Sequence, residues 1–181
     1  MDQERAWLEQ ALQGDRVAFG HLVQAYERPV YNLAYRMLGD PVEAEDAAQE
    51  TFLRAYARLA TYQPERKFIN WLLSIASHHC VDRLRRSGRA PQLSLDGPLP
   101  PGWLTSDEPR PDQAVVQKQQ REQVRQMLDT LPADYRAVIV LRYWYDLSYQ
   151  EIAAIMATTE SAIKSRLHRA RRMLAAQLLA A

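Results

Sequence analysis

The 181-residue chain has one cysteine, three lysines, three phenylalanines and six glycines. A lone cysteine, Cys80, excludes an internal disulfide framework and points to a reducing compartment. No apolar run approaches the roughly 20 residues that a membrane span needs. The opening MDQERAWLEQ lacks a basic start followed by an apolar stretch, so no signal peptide is expected there. These features predict a cytoplasmic protein without a membrane span. Valine, isoleucine and threonine total 22, against 25 alanines and 22 leucines, which argues against a large β-sheet. Glycine is too sparse and too scattered for a phosphate-cradling loop.

The residues in surplus belong to helices. Alanine and straight-chain side chains lose little freedom there, and arginine, at 20, is the dominant cation. Net charge is only +1, but its distribution is uneven. Residues 1–86 carry 11 basic and 12 acidic side chains, whereas 113–181 carry 10 and 6. An arginine-rich helical segment in a +4 region is a candidate nucleic-acid surface.

Proline divides the chain. Six of ten prolines and three of six glycines fall within Ser87–Asp112, a segment that cannot be one long helix. The expected organisation is all-α: a helical domain over 1–86, a flexible linker over 87–112, and a second helical domain over 113–181 that ends in a helix-turn-helix. Within the first domain, Gly14 and Asp15 separate two helices. Pro29 is expected to open a new helix, Val30–Leu38, and Gly39 to stop it. Asp40-Pro41-Val42-Glu43 is a helix start running to about Ala60, and Lys67–Arg86 forms the last helix. The second domain begins near Gln113, breaks at Leu131-Pro132, and resumes with Ala133–Tyr145.

Ser148-Tyr149-Gln150-Glu151 reads as a capping box that opens a short helix. Ala157-Thr158-Thr159 makes a turn, with Thr159 capping a longer helix. In that helix Ala162, Ile163, Leu167, Ala170 and Leu174 recur at helical spacing. The other face carries Lys164, Ser165, Arg166, His168, Arg169, Arg171 and Arg172. A basic helix behind a short capped helix suits the major groove, which admits one helix. Catalysis has no footing. His21, His78, His79 and His168 lack metal-ligand spacing, and adjacent His78 and His79 face different ways. No metal or cofactor is expected.

LSYQEIAAIMATTESAIKSRLHRARRML resembles the C-terminal DNA-reading region of bacterial RNA polymerase sigma factors of the extracytoplasmic-function group, in the sigma-70 family. GDPVEAEDAAQETFLRAYARL and FINWLLSIASHHCVDRLRR resemble the group's core-polymerase-binding and promoter-melting segments. The resemblance covers both domains in order. It implies a non-enzymatic promoter-specificity subunit, with core polymerase, duplex and single-stranded promoter DNA and an anti-sigma factor as partners. By resemblance, Asp46, Gln49, Glu50, Phe52 and Arg54 dock on the coiled coil of the largest polymerase subunit. Most of the apolar surface of Val138–Trp144 is expected in the core of the second domain, and part of it to meet the flap. Tyr62, Gln63, Arg66, Lys67 and His78 form a pocket for an unstacked −10 base, and Arg83, Arg85 and Arg86 hold phosphates. The basic face of the last helix reads the −35 element. Three positions depart from the family pattern: Ala157 stands for a usual glycine, Ala162 for a threonine and His78 for an asparagine. Alanine at 157 is expected to fit only where φ is negative. An independent helix-turn-helix regulator is the competing reading, and the docking-like EDAAQETFLR segment weighs against it.

Overall fold

The computed structural model describes residues 2–88 and 114–180. The linker expected over 87–112 lies outside the described residues except for Ser87 and Gly88. Helices α1 (Asp2–Leu12), α2 (Arg16–Leu38), α3 (Pro41–Ala57) and α4 (Phe68–Arg86) build a first module. Helices α5 (Ala114–Asp129), α6 (Ala133–Trp144), α7 (Tyr149–Ile155) and α8 (Glu160–Ala180) build a second.

Local chemistry sets most of the helix ends. The Asp15 carboxylate accepts from the amides of Val17 (2.8 Å) and Ala18 (3.2 Å) and starts α2. Gly39 ends α2 at φ 76°, a left-handed cap that glycine adopts without steric cost, and its amide donates to the Tyr35 carbonyl at 2.8 Å. Asp40 then caps α3 through the Glu43 amide (2.9 Å), with Pro41 in the first turn, where its missing N–H is harmless. Helix α3 stops at Ala57 rather than Ala60, and a 3-10 turn at Leu59–Thr61 follows it.

One boundary differs from the sequence reading. Pro29 does not open a helix but lies inside α2, which runs unbroken from Arg16 to Leu38. An interior proline costs about 3 kcal/mol. Beyond it, Val30, Leu33, Ala34 and Met37 are all buried at helical spacing. Burying one such large side chain contributes about 1.5–3 kcal/mol. The burial therefore outweighs the proline and holds both halves on one axis.

The core of the first module packs Leu22, Leu33 and Met37 of α2 against Ala44, Ala47 and Ala55 of α3 and against Phe68, Leu72 and Leu73 of α4. The alanine face of α3 brings its backbone close to α2. Helix α1 is tied on by Tyr26, whose hydroxyl donates to Glu4 at 2.6 Å, and by Trp7 stacked on His21. In the second module Val138, Ile139, Val140 and Leu141 are buried with Ile152, Ile163 and Leu167. As expected for most of the Val138–Trp144 run, Val138 to Leu141 are core, while Tyr143 and Trp144 are partly exposed. The modules also touch each other: α6 and α7 lie against α2 and α4.

The helix-turn-helix junction holds a second departure. Ala157 sits at φ 49°, the left-handed conformation, not the negative φ that alanine prefers. A left-handed non-glycine residue carries a strain of about 1–2 kcal/mol. The cap of Thr159, whose hydroxyl accepts from the Ala162 amide at 3.2 Å, and the Thr158 amide bond to the Ala153 carbonyl at 2.9 Å hold the turn against it. Ala157→Gly should raise stability by about 0.5–1 kcal/mol, the relieved strain being partly offset by glycine's greater unfolded-state freedom. Urea denaturation followed by circular dichroism measures this directly. An unchanged or lower midpoint would show that the alanine is unstrained.

Candidate functional site

The capping box read from the sequence is present in both directions. The Glu151 amide donates to Ser148 Oγ at 3.2 Å, and the Ser148 amide donates to Glu151 Oε2 at 2.9 Å. These bonds, with Asn70 and Lys67 nearby, hold the Glu151 carboxyl at about 2. Helix α7 is thereby fixed, and α8 leaves the turn with Ile163, Leu167, Ala170 and Leu174 buried. Lys164, Ser165, His168 and Arg169 are exposed on the opposite side. The seven residues expected on this face therefore do not form one uniform set. Arg166, Arg171 and Arg172 are only half-exposed, and the Arg171 guanidinium lies over the Tyr143 ring at 5.6 Å. Lys164 is bridged to Glu160 at 2.7 Å. The free edge of α8 is its first turns, the part of a recognition helix that reaches base edges.

On α3 the structure corrects one expected docking residue. Phe52 is 8% exposed, with Ala48 and Ala55 also in the core, so its ring is not available to a partner. The adjacent Leu53, at 67%, is exposed instead. Val42, Asp46, Gln49, Leu53 and Tyr56 recur at steps of three and four, and all are exposed. They make one ridge along the helix. Glu50 flanks the ridge and accepts from Arg54 Nε at 2.7 Å, which pulls its carboxyl below the usual range. The sequence signal for Leu53 and Val42 was present: both fall on the polar face defined by Asp46 and Gln49, where an apolar residue has no core to join.

The loop before α4 carries a second correction. Tyr62 was expected to present a free stacking face, having no helical surface to pack on. It is 8% exposed, meets Phe68 edge-on at 5.3 Å and tilts against Trp71 at 5.5 Å. Its hydroxyl donates to the Arg66 carbonyl at 2.5 Å. Burial of the ring, which raises the phenol's pKa, makes Tyr62 the anchor of the loop. Gln63, Arg66 and Lys67 are the exposed residues that this anchor positions.

Along α4, His78 is exposed, with Nδ1 2.7 Å from the Ser74 carbonyl. That contact places the ring proton on Nδ1 and leaves Nε2 as an outward acceptor when the ring is neutral. His79 points elsewhere, into a groove of about 420 Å³ lined by Arg54, Asp82, Arg83 and Arg86. Burial, and next Arg54, hold its pKa down. Arg83 lies 3.7 Å from Glu43, and Arg85 is paired with Asp134 of the second module at 2.7 Å. Only Arg86 of the three expected phosphate holders has no ion pair among the described residues. Cys80 is fully buried and its thiol is pushed up to about 12, which suits packing rather than nucleophilic chemistry. Among the described residues no three histidine, cysteine or carboxylate groups meet to hold a metal, and no helix is long and apolar enough to cross a membrane.

Glu151 gives this site a pH signature. Its folded pKa is depressed, so its contribution is complete above the usual 4.5 and is lost as pH falls towards about 2. Glu151→Gln should cost about 1 kcal/mol near pH 7 and flatten the decline of stability across that window. Urea midpoints for both proteins between pH 2 and pH 7 test this; parallel curves would remove the carboxylate from the account.

Comparison with known proteins agrees with this geometry. Residues 22–90 match the family described as Sigma-70 region 2, and 121–174 match Sigma-70, region 4. The chain is 37% identical over 178 residues to the ECF RNA polymerase sigma factor SigW of Bacillus subtilis, covering 94% of each. It is 31% identical over 173 residues to the ECF RNA polymerase sigma-E factor of Escherichia coli, covering 93% of this chain and 90% of that one. Among solved structures, CnrH in complex with the cytosolic domain of CnrY aligns over 99% of both chains, with a TM-score of 0.70 and 26% identity. A sigma factor RpoE bound to the anti-sigma factor NepR, from Bartonella quintana, shares the fold at a TM-score of 0.62 and 23% identity. Two helical modules in this order, the second ending in a capped helix-turn-helix with a basic outer edge, together with these matches, place the chain in the extracytoplasmic-function group of the sigma-70 family, whose members are non-catalytic RNA polymerase subunits that direct promoter recognition and transcription initiation.

Proposed function

We propose that the work is divided between the modules, 1–86 serving core docking and the −10 element and 113–181 serving the −35 element, with 87–112 as the flexible linker between them. The observation that carries this reading is the exposed edge of α8, where Lys164, Ser165, His168 and Arg169 stand together on a helix that Thr159 caps and that follows the Ser148-capped α7. Arg169 supplies a planar fork for guanine, and Ser165 and His168 are short enough to sit against base edges. Arg166, Arg171 and Arg172, lower on the flanks, serve phosphates. Arg169→Ala should cost about 1–3 kcal/mol of discrimination at one −35 position and leave core binding intact. A selection over randomised −35 sequences that returns the same preference for both proteins would count against this assignment.

On the first module, the ridge Val42, Asp46, Gln49, Leu53 and Tyr56 is the surface for the coiled coil of the largest polymerase subunit, with the Glu50–Arg54 pair at its edge. Leu53 takes the role first assigned to Phe52. Leu53→Ala should weaken holoenzyme assembly about tenfold with stability changed by less than about 0.5 kcal/mol. Phe52→Ala, by contrast, should cost about 3–5 kcal/mol of folding stability. Holoenzyme titration beside thermal unfolding separates them. Full assembly by a folded Leu53→Ala protein would move docking off this ridge.

Strand capture falls to the anchored loop. Gln63, Arg66 and Lys67 face an extruded −10 base, while Tyr62 holds their backbone. His78 offers the outward imidazole acceptor. Arg83, Arg85 and Arg86 line the path of the strand. Binding energy alone drives opening, and no nucleotide hydrolysis is involved. One solved relative is bound to an anti-sigma factor and the other to the cytosolic domain of CnrY, which supports an anti-sigma factor as a partner of this chain too. A cytoplasmic location follows from work on the chromosome.

A further inference from the structure

Helix α4 begins without the device that starts its neighbours. Asp15, Asp40 and Ser148 each cap a helix with a side-chain oxygen, but Lys67 stands in that place before α4 and makes no capping bond. Two backbone bonds, from the amides of Asn70 (3.0 Å) and Trp71 (3.3 Å), reach the Lys67 carbonyl. The rest of the restraint on this helix start comes from rings. Phe68, buried, lies perpendicular to Tyr62 at 5.3 Å and tilts against Trp71 at 5.6 Å. It also meets Tyr26 at 5.6 Å, the rings inclined at 60°. Tyr62, Phe68 and Trp71 belong to the loop and the first turn of α4. Tyr26 comes from α2 and ties them to the rest of the module.

Tyr26 is in turn oriented by α1. Its hydroxyl donates to the Glu4 carboxylate at 2.6 Å, the short separation of a bond to a charged acceptor, which is stronger than a neutral one. After burial, the Glu4 charge is the next cause that raises the pKa of Tyr62, and Glu4 raises that of Tyr26 as well, so this carboxylate is felt at both hydroxyls. The line from α1 to the loop is therefore continuous. It runs through Glu4, Tyr26, Phe68 and Tyr62 to the Arg66 carbonyl, which accepts from the Tyr62 hydroxyl at 2.5 Å. Helix α1 has a second attachment, the Trp7–His21 stack at 5.0 Å, which is not part of this line.

We propose that Glu4 is a positioning residue for strand capture: through Tyr26 and Phe68 it fixes Tyr62, and so sets where Gln63, Arg66 and Lys67 stand. The consequence for opening rests on the reading of that loop as the surface for the extruded −10 base; the fixing of the loop does not. A site that receives one base has to be held within about 0.5 Å of its productive geometry by supporting residues behind the contact surface. Glu4 needs no contact with DNA to act in this way. Its effect belongs to the capture step, and binding of duplex promoter and of core polymerase is left unchanged.

Amide hydrogen exchange on the full chain tests the restraint. Tyr26→Phe removes the bond and keeps the ring; Glu4→Gln keeps the shape and removes the charge. Both should quicken exchange over residues 62–68 about three- to tenfold, including the Arg66 amide that bonds the Gln63 carbonyl at 3.0 Å, while α3 and the end of α4 exchange as in wild type. His21→Ala, which loosens α1 without touching Tyr26, is the control. Unchanged exchange in both variants overturns the proposal. Equal quickening by His21→Ala does so too, since the effect would then belong to α1 as a whole.

Opening is read by permanganate reactivity of the −10 thymines, on holoenzyme already shown to bind duplex promoter. Each variant should lower it about three- to tenfold, and the double variant no further, because the two residues act through one bond. Wild-type reactivity in variants whose loop exchange is quickened overturns the role in capture, and additive losses overturn the path through Tyr26. A triple variant, Gln63→Ala with Arg66→Ala and Lys67→Ala, keeps the two failures apart. If it also opens the promoter like wild type, the strand reading of the loop fails, and the exchange result alone decides whether Glu4 holds the loop.

Discussion

A buried guanidinium governs how the two modules meet. Arg136 is 2% exposed, yet its burial has to be matched by acceptors from several directions. Asp129 supplies a carboxylate oxygen at 2.9 Å, and the carbonyls of Asp129 and Leu131 bond the other amino group. The remaining acceptor, the Met37 carbonyl, comes from the first module. It lies at the C-terminal end of α2, where helix carbonyls are unsatisfied and the helix dipole favours a cation. Burial lowers the pKa of Arg136, and Asp129 works against that shift. Arg125 points at the same helix end, 3.5 Å from the Gly39 carbonyl. Substituting Gly39 would place a Cβ 3.4 Å from that Arg125 side chain. One helix end thus serves as the receptor for the neighbouring module, and the glycine that terminates α2 is required there by its φ of 76° rather than by crowding.

From this contact the other surfaces take their positions. With α6 seated on α2 and α4, the outer edge of α8 and the α3 ridge remain exposed. Helix α4 does not enjoy the same freedom. Its inner residues form the core, its flank carries His78, and both its ends are engaged by acidic side chains. The α3 ridge and the outer edge of α8 thus stay open to solvent in this arrangement, whereas α4 is covered at both ends.

The legibility of these features in the sequence followed the range of the interaction. The caps at Asp15, Asp40 and Ser148 were readable because a side chain satisfies an amide two or three residues away. The inner face of α8 was readable because its spacing repeats. Pro29 was misread because the burial that carries α2 through it comes from α3, α4 and α6, which lie far along the chain. Phe52 and Tyr62 were assigned to partners by resemblance to the family; helical phase in the first case, and Phe68 and Trp71 in the second, draw them into the core. Ala157 was expected at a negative φ from alanine's own preference, although the glycine usual at this family position was a signal for the positive one observed. The contacts between modules left no sequence signal: Glu151 reads only as a capping residue, and nothing around Asp134 or Tyr145 points to the first module.

Cys80 has a practical consequence. Burial pushes this thiol up to about 12, so it stays un-ionised at neutral pH, and it is also sealed from solvent. Alkylating reagents and peroxides act on the thiolate, so the native protein should be silent to both. Cysteines introduced on the exposed faces of α3 and α8 can then carry probes with the natural residue left in place. The same burial means that any chemistry at Cys80 has to wait for the first module to open.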